Sequence, residues 1–520
     1  MTDLFLLLAM TTMLLSALGL LIIKGRCSKG LCRTWSEASS WIAFLLGIAF
    51  SFSYFLKTHP SSSASYLQIT TLQAVLVPYI LFMGVLVKRF SYNYLQTDSH
   101  YGEFFLKIKL LMAGLLLFVT ANHVALLSVS WILSGWVLVL LIRHTQISSA
   151  IQSSKMALNT FLLGDLLLLS GLAGLTYSYH TPYLSLWISN SPVESPMLIA
   201  SIIALVIGVM TKTAILPFHR WLPNTLTAPT PVSAIMHAGF VNAGAILFAK
   251  ISTVLITQPW VMNGLVILGL ISAVFGSAAM LVQNDVKRYL TFSTIGQMGF
   301  MILECGLGAF HLAIGHLIVH GLFKARFFLA SGSVIEHRRY IRNVTLAQNE
   351  TCNAVSYRWS LLAGVIASTG IAFSLGQCFL PLSHSLEHLN PLLGVMLVLS
   401  VVFSGLTLQK SKGVSLFSIV LSGLFGFALL SGYTLYEGFA EHYLQAWNRM
   451  YLFNNSLFTT GVAIIVSVFS GFIFLVMVGL LPVPQAIVQR LYLFFLNASD
   501  DHVTPTNFMT TFSHRQAIQT

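Results

Sequence analysis

Long apolar runs recur along nearly the whole chain, separated by short polar links. A membrane-crossing helix needs about 20 mostly apolar residues. By that measure the sequence predicts segments near 4–23, 39–56, 69–87, 104–120, 122–142, 157–177, 196–216, 226–249, 259–282, 289–304, 307–333, 359–380, 391–409, 413–433 and 457–481. The pattern predicts an all-α polytopic membrane protein of about 13–15 transmembrane helices. Beyond Pro482 an amphipathic stretch, Val483 to Phe495, and a polar tail from Asn497 are expected at the membrane surface. The first run, Leu4 to Ile23, has no basic residue ahead of it and Lys24, Arg26, Lys29 and Arg33 behind it. A cleaved signal peptide has the opposite order, so a retained membrane helix is expected.

Composition agrees with this pattern. Hydrophobic residues make up 56% of the 520 and charged residues 8%, against roughly 25% charged in a soluble globular chain. The net charge of +12 would suit a nucleic-acid partner in a soluble protein, but a membrane protein reaches it through cytoplasmic loops. An N-terminus placed outside brings Lys24 to Arg33, Lys88 with Arg89, Arg143 with Lys155, Arg220, Lys287 with Arg288, Arg338 to Arg358, and Lys410 with Lys412 to the cytoplasm. Little more than Lys57, Lys250 and Arg449 is left outside, and the C-terminus is then cytoplasmic. Five cysteines (27, 32, 305, 352 and 378) lack paired metal-ligand spacing. Neither a disulfide nor a zinc site is expected in this chain.

Charges at membrane depth are costly, at least ~2.5 kcal/mol each on insertion scales, and persist where they are paired, wetted or used. Lys212 sits in Met-Thr-Lys-Thr-Ala-Ile-Leu-Pro, and Pro217 is expected to break the helix close to the ammonium group. Segment eight opens with Pro229 and Pro231 and carries His237, readable as a site residue or as a buried, satisfied histidine behind a capped helix start. In segment eleven His316, His320 and Lys324 recur every fourth residue, along one helix face. Such a row can pass protons, because neutral imidazole accepts on one nitrogen and releases from the other. A polar seam joining two helices is the alternative. Arg326 lies off that face and reads as a snorkelling anchor. Asp165 and Glu304 are the clear acidic residues within the apolar segments, Asp285 stands at a helix boundary, and nothing acidic occurs from Phe104 through Gly164.

The stretch Thr211-Lys-Thr-Ala-Ile-Leu-Pro-Phe-His-Arg-Trp-Leu-Pro, running into Ala228-Pro-Thr-Pro-Val-Ser-Ala-Ile-Met-His-Ala-Gly, resembles a signature of the antiporter-like proton-translocating subunits shared by respiratory complex I and the Mrp cation antiporters. Asp285-Val-Lys-Arg-Tyr-Leu-Thr-Phe-Ser-Thr-Ile-Gly-Gln-Met-Gly, with His316, His320 and Lys324, resembles a second. The resemblance implies two inverted five-helix repeats with broken helices, at 104–250 and, degenerate, at 259–410. N-terminal helices over 1–103 precede them, and C-terminal helices with the cytoplasmic tail follow over 411–520. It implies that Lys212, His237, His316, His320 and Lys324 form the proton or cation pathway, with helix breaks at Pro217, Pro229 and Pro231.

The chain departs from that pattern at two places. Ser130-Trp-Ile-Leu-Ser-Gly has Ile132 where the resemblance implies a glutamate to partner Lys212, and Trp359 to Leu380 carries no charge where a lysine is implied. Asp165 is therefore the candidate counter-charge. His237-Ala-Gly-Phe-Val-Asn-Ala-Gly, Gly296-Gln-Met-Gly-Phe-Met, Glu304-Cys-Gly-Leu-Gly-Ala-Phe and Lys324-Ala-Arg-Phe-Phe-Leu-Ala-Ser-Gly-Ser are similar to the DabB branch, the membrane subunits of two-protein inorganic carbon pumps of the bacterial inner membrane. This resemblance implies a cation-conducting subunit, with the proton as the expected ion, that is not itself an enzyme and carries no cofactor. It implies a DabA-like partner similar to a zinc β-carbonic anhydrase, which would hydrate CO2 and trap it as bicarbonate. The alternative is a proton-translocating subunit of a complex I-like or Mrp-type Na+/H+ antiporter complex.

Overall fold

The computed structural model describes residues 2–23, 29–56, 65–187, 195–331, 489–490 and 492–496. The chain divides into two compact units, Met1–His337 and Arg338–Thr520. In the second unit the described residues, 489–490 and 492–496, are helical. Segments twelve to fifteen, the uncharged stretch from Trp359 to Leu380, most of the amphipathic stretch and the polar tail lie outside the described residues.

The first unit is built from helices α1 (Thr2–Ile23), α2 (Lys29–Phe55), α3 (Thr71–Tyr94), α4 (Tyr101–Thr120), α5 (Val124–Ile142), α6 (Ser148–Tyr179), α7 (Pro196–Lys212), α8 (Thr230–Ala238), α9 (Ala243–Lys250), α10 (Ser252–Ile256), α11 (Pro259–Leu281), α12 (Val286–Gly306) and α13 (Phe310–Ala330). No strand occurs among the described residues, only two isolated bridges between links. Eight spans among them are long and apolar enough to cross a membrane. The protein is an all-α, multi-pass membrane protein. Its outer surface shows the expected inversion of a soluble fold: Leu15, Ile22, Leu166 and Val319 are more than half exposed, whereas Lys212, Lys324, Asp165 and Glu304 are buried.

Small residues set the closest helix pairs, since association within lipid relies on tight packing of backbones. On α7, a Cβ at Gly208 would come within 2.7 Å of the Leu168 backbone nitrogen on α6. Gly276 of α11 lies directly against the backbone of Gly296 on α12. Only glycine permits either approach.

Two apolar segments are interrupted. Segment seven ends as an α-helix at Lys212, followed by Ala214 with positive φ, a cis Leu216–Pro217 bond and a short 3-10 turn, Phe218–Trp221. Trp221 Nε1 donates to the Thr211 carbonyl at 2.8 Å, so the opened helix end is satisfied inside the protein, as the bilayer requires. Pro217 lies within this break. Segment eight is not continuous either: α8 ends at Ala238, Phe240–Asn242 forms a 3-10 turn, and α9 follows. Pro229 and Pro231 stand at the cap and first turn of α8, where proline starts a helix. The interruption falls eight residues past Pro231, at Gly239.

Two cations read as loop residues are buried. Lys88 lies inside α3 and donates to Ser40 Oγ at 2.6 Å. Lys250, read as outside, ends α9 and donates to the carbonyls of Phe118, Val119 and Ala121 at 3.2, 2.7 and 2.5 Å. It thereby caps the negative end of α4. Helix length misled the reading at Lys88, because α3 runs seven residues past the last apolar position assigned to it. Lys155 likewise belongs to the long α6, not to a loop.

Candidate functional site

Lys212 closes α7, and its side chain turns into the protein. Its Nζ stands 2.7 Å from Asp165 Oδ1 on α6, with Lys212 and Asp165 side chains 1% and 7% exposed. A second contact at 2.7 Å runs from Nζ to the Trp131 carbonyl of α5. The ammonium also lies over the rings of Trp131, Phe161 and Phe240, 4.7, 5.6 and 6.0 Å from their centroids. Ring faces carry negative quadrupole density that attracts a cation. Gly135, one helical turn beyond Trp131, makes room: a Cβ there would meet Nζ at 2.8 Å. The ion pair thus joins adjacent helices α6 and α7, while α5 contributes a carbonyl and a ring from Trp131, next to Ile132.

His237 sits one residue before the end of α8, buried, with its ring stacked on Phe328 of α13 at 4.4 Å and 10° between planes. Its Nδ1 makes no hydrogen bond. Tyr79 of α3 donates to the Ala238 carbonyl at 2.8 Å, and Asn242 Nδ2 to the same carbonyl at 2.9 Å, which hold the broken end of α8 in place.

On α13 the expected face is present. Lys324 Nζ donates to the Leu290 carbonyl of α12 at 2.8 Å. His320 is buried, and neither ring nitrogen has a hydrogen-bond partner. Its ring stands 6.1 Å from that of His316. His316 is tied to α12 at both nitrogens: Nδ1 lies 3.2 Å from Glu304 Oε2, and Nε2 lies 2.8 Å from Gln297 Oε1. Which nitrogen carries the proton depends on the tautomer. No direct hydrogen bond links His316, His320 and Lys324 to one another, or Lys212 to His237, among the described residues.

The structure therefore assembles three groups of the named residues: Lys212 with Asp165, His237 against α13, and His316 with Glu304 and Gln297 beside His320 and Lys324. Gln297 was not legible as a site residue, because a lone glutamine on a helix carries no signal until its partner across the helix pair is known. Lys109, buried on α4, was also missed in sequence. Asp285 caps α12, its side chain accepting from the Arg288 backbone nitrogen at 2.8 Å. Cys32 and Cys305 are both buried and form no disulfide among the described residues. Among the described residues no cluster of three or more histidine, cysteine, aspartate or glutamate side chains could hold a metal ion.

Residues 121–408 match the family described as NADH:quinone oxidoreductase/Mrp antiporter, transmembrane. The chain is 38% identical over 283 residues to "Probable inorganic carbon transporter subunit DabB1" of Halothiobacillus neapolitanus, covering 52% of this chain and 50% of the relative. It is 35% identical over 316 residues to "Probable inorganic carbon transporter subunit DabB" of Bacillus subtilis, covering 59% and 60%. Identity to "NAD(P)H-quinone oxidoreductase subunit 5, chloroplastic" of Glycine max is 31% over 393 residues, covering 69% and 52%. The chain spans about half the length of the curated relatives it matches. A chain of the membrane-bound sulfane sulfur reductase, an archaeal respiratory membrane complex, shares the fold with a TM-score of 0.59 at 16% identity, covering 90% of this chain and 94% of that one.

Proposed function

The chain belongs to the NADH:quinone oxidoreductase/Mrp antiporter transmembrane family, and on that premise we propose that it is the cation-conducting membrane subunit of an inorganic carbon uptake complex, with the proton as its ion. The observation that carries this reading is the buried Lys212–Asp165 pair at a helix break. An ion pair in a low-dielectric interior is expensive to keep, and replacing one with apolar residues is often neutral or stabilising. Its presence beside open backbone suits a titrating centre. Protonation of Asp165 breaks the pair and leaves the ammonium held by the Trp131 carbonyl and three rings, whereas deprotonation of Lys212 breaks it and leaves a neutral amine beside the Asp165 carboxylate. The gaps between His316, His320 and Lys324 exceed a direct hydrogen bond, so passage along α13 proceeds through bridging water.

The relatives named as inorganic carbon transporter subunits support the substrate class. In this reading the chemistry belongs to a DabA-like, zinc-bearing partner resembling a carbonic anhydrase. The chain sits in a bacterial inner membrane with its N-terminus outside and its C-terminus cytoplasmic, and residues 104–250 and 259–410 form two inverted repeats. The test is growth rescue of a bacterium lacking carbonic anhydrase. Rescue should need both this chain and its soluble partner, fail with Lys212→Ala, and collapse with an uncoupler. Rescue by the soluble partner alone would sink the reading.

The match to the chloroplast quinone oxidoreductase subunit, which extends over more of this chain than either DabB match, favours a second reading as a complex I-like or Mrp-type Na+/H+ antiporter subunit. Sodium-dependent proton movement in vesicles, independent of CO2, would support it.

A further inference from the structure

A second polar cluster lies away from the Lys212 site, where α1, α2, α3 and α4 converge. Lys109 of α4 is buried, and its Nζ donates to Ser16 Oγ of α1 at 2.7 Å and to Ser39 Oγ of α2 at 2.5 Å. Lys88 of α3, also buried, donates to Ser40 Oγ at 2.6 Å. Two ammonium groups therefore hang on neighbouring hydroxyls of one helix. Lys109 is eight residues into α4, about 12 Å along its axis at 1.5 Å per residue.

No carboxylate pairs with either lysine among the described residues. On the same stretch of α2, Glu37 is partly exposed and pairs with Arg33 at 3.9 Å. On α4, Glu103 pairs with Lys107 at 3.8 Å. The serine hydroxyls turn their own hydrogens onto helix carbonyls: Ser40 to Ser36, Ser39 to Trp35, Ser16 to Met13. An ammonium group has three donors. Lys88 is left with two unused N–H groups and Lys109 with one. Ser36 and Tyr92 add two more buried hydroxyls, one turn from Ser40 and Lys88, and neither completes a hydrogen bond of good geometry. Arg33, half exposed and already paired with Glu37, stands over the Tyr92 ring at 5.5 Å.

Donors and positive charge without a carboxylate are what an anion requires, and two like charges buried side by side are costly without one. We propose that Lys88 and Lys109 form a binding site for a small inorganic monovalent anion, an oxyanion of bicarbonate or nitrate size or a halide. The site closes around Ser16, Ser39 and Ser40, inside the helix cluster and not on its lipid-facing side. It is independent of the function proposed above.

The test uses the full chain purified in detergent with zwitterionic lipid. Its unfolding temperature is followed against sodium bicarbonate, nitrate and chloride, with gluconate holding ionic strength constant. The expected result is a saturable rise with at least one small anion. Lys88→Gln and Lys109→Gln should shift half-saturation by about tenfold or more, while Lys107→Gln, an equal charge change on the same helix outside the cluster, should not. If the lysine variants do not accumulate, Ser39→Ala and Ser40→Ala keep both charges and should still weaken the response several-fold. A rise that survives all four substitutions, or none at all, overturns the site. A rise that appears only when phosphatidylglycerol is added, and not with the free anions, assigns the positive charge to a lipid headgroup and also overturns it.

Discussion

Asp165 and Lys212 pair across adjacent helices, α6 and α7, at 2.7 Å, while the residue after Trp131 on α5 is isoleucine. The counter-charge has in effect moved one helix along from the position the family resemblance implies. Lys212 still reaches α5 through the Trp131 carbonyl.

Removing one partner of a buried pair leaves an uncompensated charge, at a cost of about 3–5 kcal/mol. Asp165→Asn should therefore lower both membrane abundance and conduction. The double variant Asp165→Asn with Lys212→Gln should recover abundance without conduction. Quantitative immunoblots alongside proton-flux assays in vesicles check this, and a double variant that conducts would disprove the central role of the pair.

Gly135 gives a finer probe of the same site. A Cβ there lies 2.8 Å from Nζ and 3.0 Å from Cε of Lys212, so Gly135→Ala must displace the flexible end of the lysine. Abundance should hold while conduction falls on the order of tenfold, equivalent to ~1.4 kcal/mol. Unchanged flux would show that the ammonium position does not limit transport.

The α13 face separates a proton row from a structural seam. An amide keeps hydrogen bonding and volume but cannot exchange a proton near neutral pH. His316→Gln, His320→Gln and Lys324→Gln should assemble normally and lose most gradient-driven uptake. Glu304→Gln, which removes the carboxylate facing His316 at 3.2 Å, should slow it as well. Lys324→Arg should also fail, because guanidinium stays protonated. Uptake retained in Lys324→Arg would mean that only a fixed charge is needed.

Outside the membrane segments, His144 follows the end of α5 and faces Asp98 at 3.2 Å. Burial lowers its pKa below its ordinary value near 6.5, opposed in part by the Asp98 carboxylate. Below pH 6.5 the unfolded chain then binds more protons than the folded one, so this group's contribution is present above that pH and is lost as pH falls through the lowered value. His144→Gln should flatten the acid side of the stability profile, measured as unfolding temperature from pH 7.5 to 4.5. An unaltered slope would remove His144 as its source.

The apolar runs alone fix that the chain crosses the membrane many times, because so many stretches of about 20 apolar residues leave water only by entering lipid. The sequence also placed His316, His320 and Lys324 on one helix face, since a spacing of four residues fixes that locally. Scarcity of acids singled out Asp165 as the counter-charge for Lys212. What it left open depends on neighbours remote in the chain. Lys250 finds its acceptors at 118–121, and Lys109 finds its own at Ser16 and Ser39. Periodicity says which face of a helix turns inward but not what waits there. That is why Lys88 and Lys250 read as loop charges, whereas Lys109, inside the predicted segment 104–120, carries the same signal of a costly charge at membrane depth that marks Lys212. The break at Gly239 was hidden for a related reason: Tyr79 and Asn242 hold the Ala238 carbonyl there, and only the packing of α3 against α8 brings the tyrosine to it.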